Sequence, residues 1–341
     1  MGKFWLYPMT PSVSAPLTSV QMHDMGKRFE AIADEKDLAK LLKISDITLR
    51  NWAARPQYIS FDIPKPGGAK RHIQTPVAEL KDLQHRLNLW LQCVYHYLKP
   101  PCAYGFIMNA TDELRLRNIY TNAMQHIDSH WVMNMDLKDF FPNINSKMLT
   151  DALRETLGFS KPLATLLVNI CSVKGRLPTG APTSPILSNL VCLDLDNRLQ
   201  HISRAYDCHY TRYADDLTFS FNNKPTLEQI AAIRQLVEKS GFIINEDKVS
   251  LTAMSQKPEV TGLVLLPPKA DISRTFFKDL KREIKIYQWM LTELTLQRGF
   301  FNDKMLLRFN KSIMGQINFV AFVRGKTDKK YVGLIALLNQ E

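Results

Sequence analysis

His209-Tyr210-Thr211-Arg212-Tyr213-Ala214-Asp215-Asp216-Leu217-Thr218-Phe219-Ser220 is the stretch on which the reading of this chain turns. Two adjacent aspartates sit between two runs of Tyr, Thr, Phe and Leu, with no Gly or Pro inside. That pattern predicts two antiparallel strands joined by a tight turn that carries the acids. Neighbouring carboxylates repel each other, so a fold that holds them together usually gives them a cation. Hard divalent ions such as Mg²⁺ take oxygen ligands and leave room for phosphate oxygens. An acidic turn with no ligand uses the same residues, because Asp is a good turn former. The rest of the chain has to decide between the two.

Upstream, Trp131 to Leu137 reads as a buried strand ending in an acid. On a period of two, Asp136 and Asp139 point to opposite sides, so Asp136 at the strand end is the better partner for the pair. Helical spacing follows over Ser146–Leu157 and Leu163–Ser172. A loop of small residues, Gly175 to Pro185, leads into a helix expected over Ile186–His201. Such a loop lets backbone approach a ligand, and it equally suits an ordinary helix start. Downstream, a helix is expected over Thr226–Lys239, stopped by Gly241. Phe242–Ile244 and Val249–Leu251 read as strands flanking Asn245 to Lys248. Val260–Leu265 reads as one strand with Gly262 at its centre, where another backbone can approach. From Ser273 the pattern is helical to the end, and residues 273–341 carry 13 Lys+Arg against 6 Asp+Glu, a net of +7 out of +11 for the whole chain.

The first residues, 1 to about 20, form a Pro/Ser/Thr-rich arm, and Pro8 and Pro11 interrupt any signal-peptide core. Asp34 and Ser45 can each cap a short helix, giving either a helix-turn-helix or a small helical lobe packed on the rest. Tyr58–Ile63 and Lys70–Ile73 flank Pro66-Gly67-Gly68, a hairpin signal decorated by Lys65, Lys70 and Arg71. Those cations suit a phosphate clamp or a solvated basic turn. A helix from Pro76 carries Leu80, Leu83, Leu87 and Leu91 at core spacing until Pro100-Pro101 ends it. At 341 residues the chain exceeds one ordinary core. Hydrophobic residues at 45% and charged residues at 23% are globular values, which exclude a disordered protein. A net charge of +11 favours a polyanionic partner such as nucleic acid. Five scattered cysteines without a CxxC pair signal neither zinc nor a disulfide framework, which fits a reducing cytoplasm. No apolar run approaches the ~18 residues of a membrane span.

Taken together, Asp136-x-x-x-Phe140-Phe141, Leu177-Pro-Thr-Gly-Ala-Pro-Thr-Ser-Pro185 and Tyr213-Ala-Asp-Asp216 resemble a reverse transcriptase, in order and spacing, from about Ile63 to the C-terminus. Asn122-Ala-Met-Gln-His126 and Val260-Thr-Gly262 resemble the pair of motifs of bacterial retron reverse transcriptases. Each motif alone is weak; five in order are specific. The resemblance implies an α+β right-hand polymerase. Its parts would be an N-terminal arm and small helical lobe over 1–56, fingers with a retron-type insertion over 57–130, a palm with the catalytic site over 131–270, and a basic helical thumb over 271–341. Asp136, Asp215 and Asp216 would be catalytic and, with Leu137, would hold two Mg²⁺ ions. Lys65, Arg71, Phe141, Thr179 and Gly180 would bind the nucleotide, Phe141 standing where the family excludes a ribose 2′-hydroxyl. Thr179 replaces the usual Gln of that loop, which bears on nucleotide contacts and fidelity. Lys248 is a candidate triphosphate contact or a plain surface lysine. Asn122, His126, Val260, Thr261 and Gly262 would serve RNA or primer binding. The basic thumb, with Lys278, Lys281, Arg282 and Lys285, suits a groove tracking a phosphate backbone.

Retron membership further implies a cognate structured noncoding RNA, priming from a guanosine 2′-hydroxyl, and an RNA-linked single-stranded DNA product (msDNA) made from dNTPs. It implies a bacterial cytoplasmic location and antiphage defence with a separate effector protein. No second acidic cluster suggests an RNase H, and no zinc-type endonuclease motif follows the thumb. Two other classes stay open on these residues: another bacterial reverse transcriptase, and an RNA-binding scaffold that no longer catalyses. The intact acids argue against the scaffold, which has no need to bear their repulsion.

Overall fold

A computed structural model describes residues 17–64, 68, 70–295 and 303–339. Its first helices start where side chains close their free N–H groups. Thr18 and Gln21 form a reciprocal box at α1 (Ser19–Glu30). Asp34 accepts from the Lys36 and Asp37 amides at α2 (Glu35–Leu42), and Ser45 from the Thr48 amide at α3 (Asp46–Ala54). Leu38, Leu42 and Leu49 are buried in the core shared with the rest of the chain, so these helices are a packed lobe. β1 (Tyr58–Pro64) and β2 (Lys70–Pro76) pair as the expected hairpin, and α4 (Ala78–Leu98) buries Leu80, Leu83, Leu87 and Leu91. α5 (Ile119–Met124) is a short helix with an Asn118 cap. Lys65 and most of the tip of the hairpin lie outside the described residues, as do residues 1–16 of the expected arm.

β3 (Trp131–Asp136) leads through α6 (Phe140–Asn143) to α7 (Ser146–Leu157) and α8 (Lys161–Cys171). The expected helix over Ile186–His201 is two helices, α9 (Ser184–Val191) and α10 (Leu193–Ala205), meeting at Cys192. β4 (Cys208–Tyr213) and β5 (Asp216–Phe221) form the acidic hairpin, followed by α11 (Leu227–Lys239) and β6 (Ser250–Ala253). These strands make one antiparallel sheet in the order β4-β5-β3-β6. Alternation gives the sheet two unlike faces. Met133, Met135, Tyr210, Leu217, Phe219 and Phe221 join the main core with the helices. Asn134, Asp136, Asp216, Thr218 and Ser220 stand on the opposite face. The stretch Phe242–Ile244, expected as a strand, makes only an isolated bridge between Leu137 and Ile244.

The expected single strand over Val260–Leu265 is two, β7 (Glu259–Val260) and β8 (Leu263–Leu266). Thr261 and Gly262 both have positive φ, 48° and 80°, which a two-residue hairpin turn requires. A β-branched residue is uncommon in that region; the Thr261 hydroxyl is held there by donating to the Ile119 carbonyl at 3.0 Å. β9 (Lys269–Asp271) completes a second, three-stranded sheet. α12 (Arg274–Thr295), α13 (Asp303–Arg324) and α14 (Lys329–Leu338) pack on it. This second core contains Ala123, Val260, Leu263, Leu265, Phe276, Ile313 and Ile317, so the expected division after residue 270 falls inside it. Arg324 fastens α13 to the end of β9, donating to both Asp271 oxygens at 2.7 and 2.6 Å.

Candidate active site

The register of the sheet brings the acids together. Asp136, last in β3, is the Cα partner of Asp216, first in β5, and Asp216 is also paired with Tyr213 of β4. A two-residue turn, Ala214-Asp215, joins β4 to β5, with Ala214 at φ 59°. The Leu137 amide donates to the Asp215 carbonyl at 2.9 Å, locking the turn against the end of β3. Asp139 is exposed and lies beyond the end of β3, at φ 45° before α6, so strand alternation does not reach it.

Asp136 is 6% exposed, and its carboxylate is held from the segment before β6. Lys248 Nζ lies 2.5 Å from Oδ1, and Asn245 Nδ2 donates to Oδ2 at 3.1 Å. Lys248 is therefore part of the site and not a plain surface lysine. Burial alone would lower its pKa. The hydrogen bond to Asp136 and the charges of Asp136, Asp215 and Asp216 outweigh burial and raise it. The charges of all three carboxylates thus act on the Lys248 ammonium, and carboxylates gathered this closely suit a cation bound among them. Among the described residues no three His, Cys, Asp or Glu side chains already form a metal cage.

The Gly175–Pro185 loop meets the β1–β2 hairpin. The Thr179 carbonyl accepts from the Gln74 amide of β2 at 2.8 Å. Gly180, at φ 126°, comes so close that a Cβ would stand 2.9 Å from Ile73 Cγ2 and 3.1 Å from the Gln74 carbonyl oxygen. Any side chain there would push the hairpin away. Arg71 is half-buried on the same strand. Phe141 is buried, with its ring stacked on Phe106 at 5.8 Å and tilted on Phe140 at 5.5 Å.

Three residues expected at the RNA or primer lie instead inside the protein. Asn122, His126 and Val260 are each at most 1% exposed, so none presents a side chain to a nucleic acid in this structure. His126 is a strut: Nδ1 meets Ser220 Oγ and Nε2 meets Thr211 Oγ1, both at 2.7 Å, tying the α5 region to β5 and β4. Burial, with a smaller push from His209, takes its pKa down to about 3 and keeps the ring neutral. Thr261 and Gly262 are half-buried at the turn. Lys278, Lys281, Arg282 and Lys285 are exposed on α12.

Sequence reasoning missed several residues at the site. Asn134 accepts from the Thr218 hydroxyl and donates to the Glu259 carbonyl, both at 3.0 Å, so it joins the acid-bearing strands to β7. Nothing in a lone Asn signals that. Arg212 and Asp196, a fully buried ion pair behind the acidic turn, did leave a faint signal: Arg212 is a charged residue inside an expected strand, and where such a residue is buried it needs a partner.

A family model described as "Reverse transcriptase (RNA-dependent DNA polymerase)" matches residues 63–265. The Retron Ec86 reverse transcriptase of Escherichia coli is 32% identical over 302 residues, covering 86% of this chain and 89% of that one. The chain is a retron-type reverse transcriptase. The Retron Mx65 reverse transcriptase of Myxococcus xanthus is 34% identical over 256 residues, 68% of this reverse transcriptase and 58% of that one. Among solved structures, a Candida albicans telomerase superposes with a TM-score of 0.46 at 12% identity, over 83% of this chain and 63% of that chain. As a reverse transcriptase the chain is an RNA-directed DNA polymerase of α+β polymerase fold. It works on an RNA template, and enzymes of this family use divalent metal ions. No helix among its described residues is long and apolar enough to cross a membrane.

Proposed function

We propose that the chain copies a cognate structured noncoding RNA into single-stranded DNA, extending a guanosine 2′-hydroxyl of that RNA so that the msDNA product stays joined to it. The observation that carries the chemistry is the cross-strand pair Asp136 and Asp216, with Asp215 one residue away and the Lys248 ammonium facing all three. Asp136, Leu137, Asp215 and Asp216 would hold two Mg²⁺ ions, whose contribution when bound is activation of the primer hydroxyl and neutralisation of charge on the α-phosphate and pyrophosphate.

The protein groups around them divide the remaining work. Arg71, with Lys65, offers donors to the incoming triphosphate, Arg through its planar fork and Lys as a point charge. The Phe141 ring, fixed by Phe106 and Phe140, would exclude a ribose 2′-hydroxyl and so favour dNTPs. Thr179 and Gly180 dock their loop on β2, and the backbone of that loop would line the nucleotide. The Thr261-Gly262 turn, joined to β3 through Asn134, supports the primer end.

On α12, Lys278, Arg282, Lys285 and Trp289 follow one another at steps of four, three and four residues, so they share one exposed stripe. Trp289 is 55% exposed, whereas Tyr287 turns inward, its hydroxyl accepting from Asn310 Nδ2 at 2.9 Å. A line of cations ending in an accessible ring suits a phosphate backbone with one stacked base. The biological setting we propose is cytoplasmic antiphage defence with a separate effector protein.

The deciding experiment is analysis of nucleic acid that copurifies with the expressed protein and its RNA. DNA joined 2′–5′ to RNA, released by a debranching enzyme, is the expected result. Linear DNA alone, with primer extension intact, would assign the chain to another kind of reverse-transcribing system.

A further inference from the structure

Arg212 is the largest fully buried side chain among the described residues. It stands in β4 two residues before Ala214, on the face of the sheet opposite Tyr213. A guanidinium pays heavily for leaving water unless each donor finds a partner. Here Nε donates to Asp196 Oδ1 at 2.8 Å and Nη2 to Oδ2 at 2.7 Å, a two-pronged grip on a carboxylate that is itself fully buried. The Tyr210 hydroxyl donates to the same Asp196 at 2.9 Å. Nη1 turns the other way, to Asn189 Oδ1 at 3.0 Å and to the Ala214 carbonyl at 3.2 Å.

That carbonyl belongs to the first residue of the acidic turn, whose positive φ is a conformation that residues other than Gly seldom adopt. The turn is also held from its other side. Asn189 Nδ2 donates to the Gly105 carbonyl at 3.0 Å. Gly105 touches the turn so closely that a Cβ on it would lie 2.4 Å from the Ala214 nitrogen. The segment before Gly105 runs along β4, with the Arg212 amide donating to the Cys102 carbonyl and the Tyr104 amide to the Arg212 carbonyl, both at 2.8 Å. A buried ion pair adds little net stability over apolar residues of the same volume, so what it contributes is better sought in the geometry it fixes.

We infer that Arg212, oriented by Asp196 and Asn189 and backed by Gly105, is a positioning residue that fixes the Ala214-Asp215 turn and thereby the placement of the Asp215 and Asp216 carboxylates. The inference rests on the reading of those acids as catalytic. None of the four residues touches substrate; they act through the turn.

The test replaces the pair as a unit, Arg212→Met with Asp196→Leu, which leaves no buried charge without a partner. Two further variants attack the turn separately. Arg212→Lys keeps a charge for Asp196 but cannot also reach Ala214, and Gly105→Ala presses on the turn with the pair intact. Hydrogen exchange of residues 213–217 is read on the full chain without added metal. The expected exchange in the folded variants is about tenfold faster than wild type at those residues, with β3 still protected. In primer extension kcat should fall roughly 10- to 100-fold while the dNTP KM stays within about twofold, because misplaced groups slow chemistry more than binding. If the double variant does not fold, Arg212→Lys and Gly105→Ala decide by the same two readouts. Folded variants with wild-type exchange and wild-type kcat overturn the inference. An inactive Asp215→Asn beside fully active variants removes this inference alone; a fully active Asp215→Asn removes it together with the reading of the acids.

Discussion

Asp215 cannot be moved without consequence at either of its two roles, as a carboxylate beside Asp216 and as the carbonyl that accepts from Leu137. Asp215→Asn keeps the backbone bond and removes the charge. We expect it, and Asp136→Asn, to lose RNA-directed synthesis by roughly a hundredfold or more, equivalent to about 3 kcal/mol of transition-state stabilisation. RNA affinity should survive, since the basic surface is elsewhere. Single-turnover extension beside a binding assay checks both halves; near-normal extension by either variant would sink the assignment. Phe141 poses a different question, because its ring is packed between Phe106 and Phe140 whatever it does for the sugar. Phe141→Ala should raise rNTP incorporation relative to dNTP, and an unchanged ratio would make the ring a core residue only. At this scale the three acids were legible because adjacency and strand position are local properties. Lys248 was not, since what decides its role is Asp136, more than a hundred positions away in the chain.

Elements show the same boundary between local and distant information. The acidic hairpin was readable because turn and strand propensities act over a few residues, and the caps at Asp34 and Ser45 for the same reason. The break between α9 and α10 was not, because apolar residues continue across Cys192 at helical spacing. The turn at Thr261-Gly262 was hidden by a β-branched residue that only the Ile119 carbonyl makes tolerable there. The Asn122–His126 segment was assigned to RNA by resemblance, whereas the structure uses His126 to join the α5 region to β4 and β5. That role has a pH signature. Burial holds the folded pKa near 3, below the ~6.5 of an unfolded histidine, so the unfolded chain takes up the proton first. The stabilising contribution is complete above about pH 6.5 and is lost as pH falls toward the folded pKa, at up to ~1.4 kcal/mol per pH unit. Urea unfolding at a series of pH values from neutral downward should show this slope in the wild-type chain, and His126→Gln should flatten it. Equal slopes in the two proteins would mean that His126 is protonated, or solvated, in the folded state.

Over the whole molecule, charge is distributed unevenly: residues 131–270, which carry the three acids, hold 15 Lys+Arg against 14 Asp+Glu and are close to balance, whereas the excess of cations lies in the C-terminal helices. Residues 273–341 hold +7 of the +11 on about a fifth of the chain. We propose that this distribution serves polymerisation. A site built to neutralise a few carboxylates should not also be the main attractor for a long polyanion, because phosphates would then compete with the catalytic ions for the same field. Cations on the C-terminal helices, α12 among them, would separate holding RNA from reacting with nucleotides. If α12 is the electrostatic grip, each phosphate it neutralises releases counterions, and affinity falls by roughly 0.7 to 0.9 log units per contact per decade of salt. Changing Lys278, Lys281, Arg282 and Lys285 together to Gln should then reduce the salt slope of RNA binding by about 3 if all four make contacts. Arg282 also pairs with Asp279 at 3.1 Å, so its share can be smaller than that of the three lysines. Charge alone would bind any RNA; preference for one structured RNA has to come from shape and unpaired bases read by stacking and hydrogen bonds. Trp289→Ala, at the end of the same stripe, should therefore weaken the cognate RNA more than an unrelated stem-loop while leaving the salt slope unchanged. A quadruple variant with the wild-type slope and wild-type preference would exclude α12 as the reader and direct attention to the N-terminal helices.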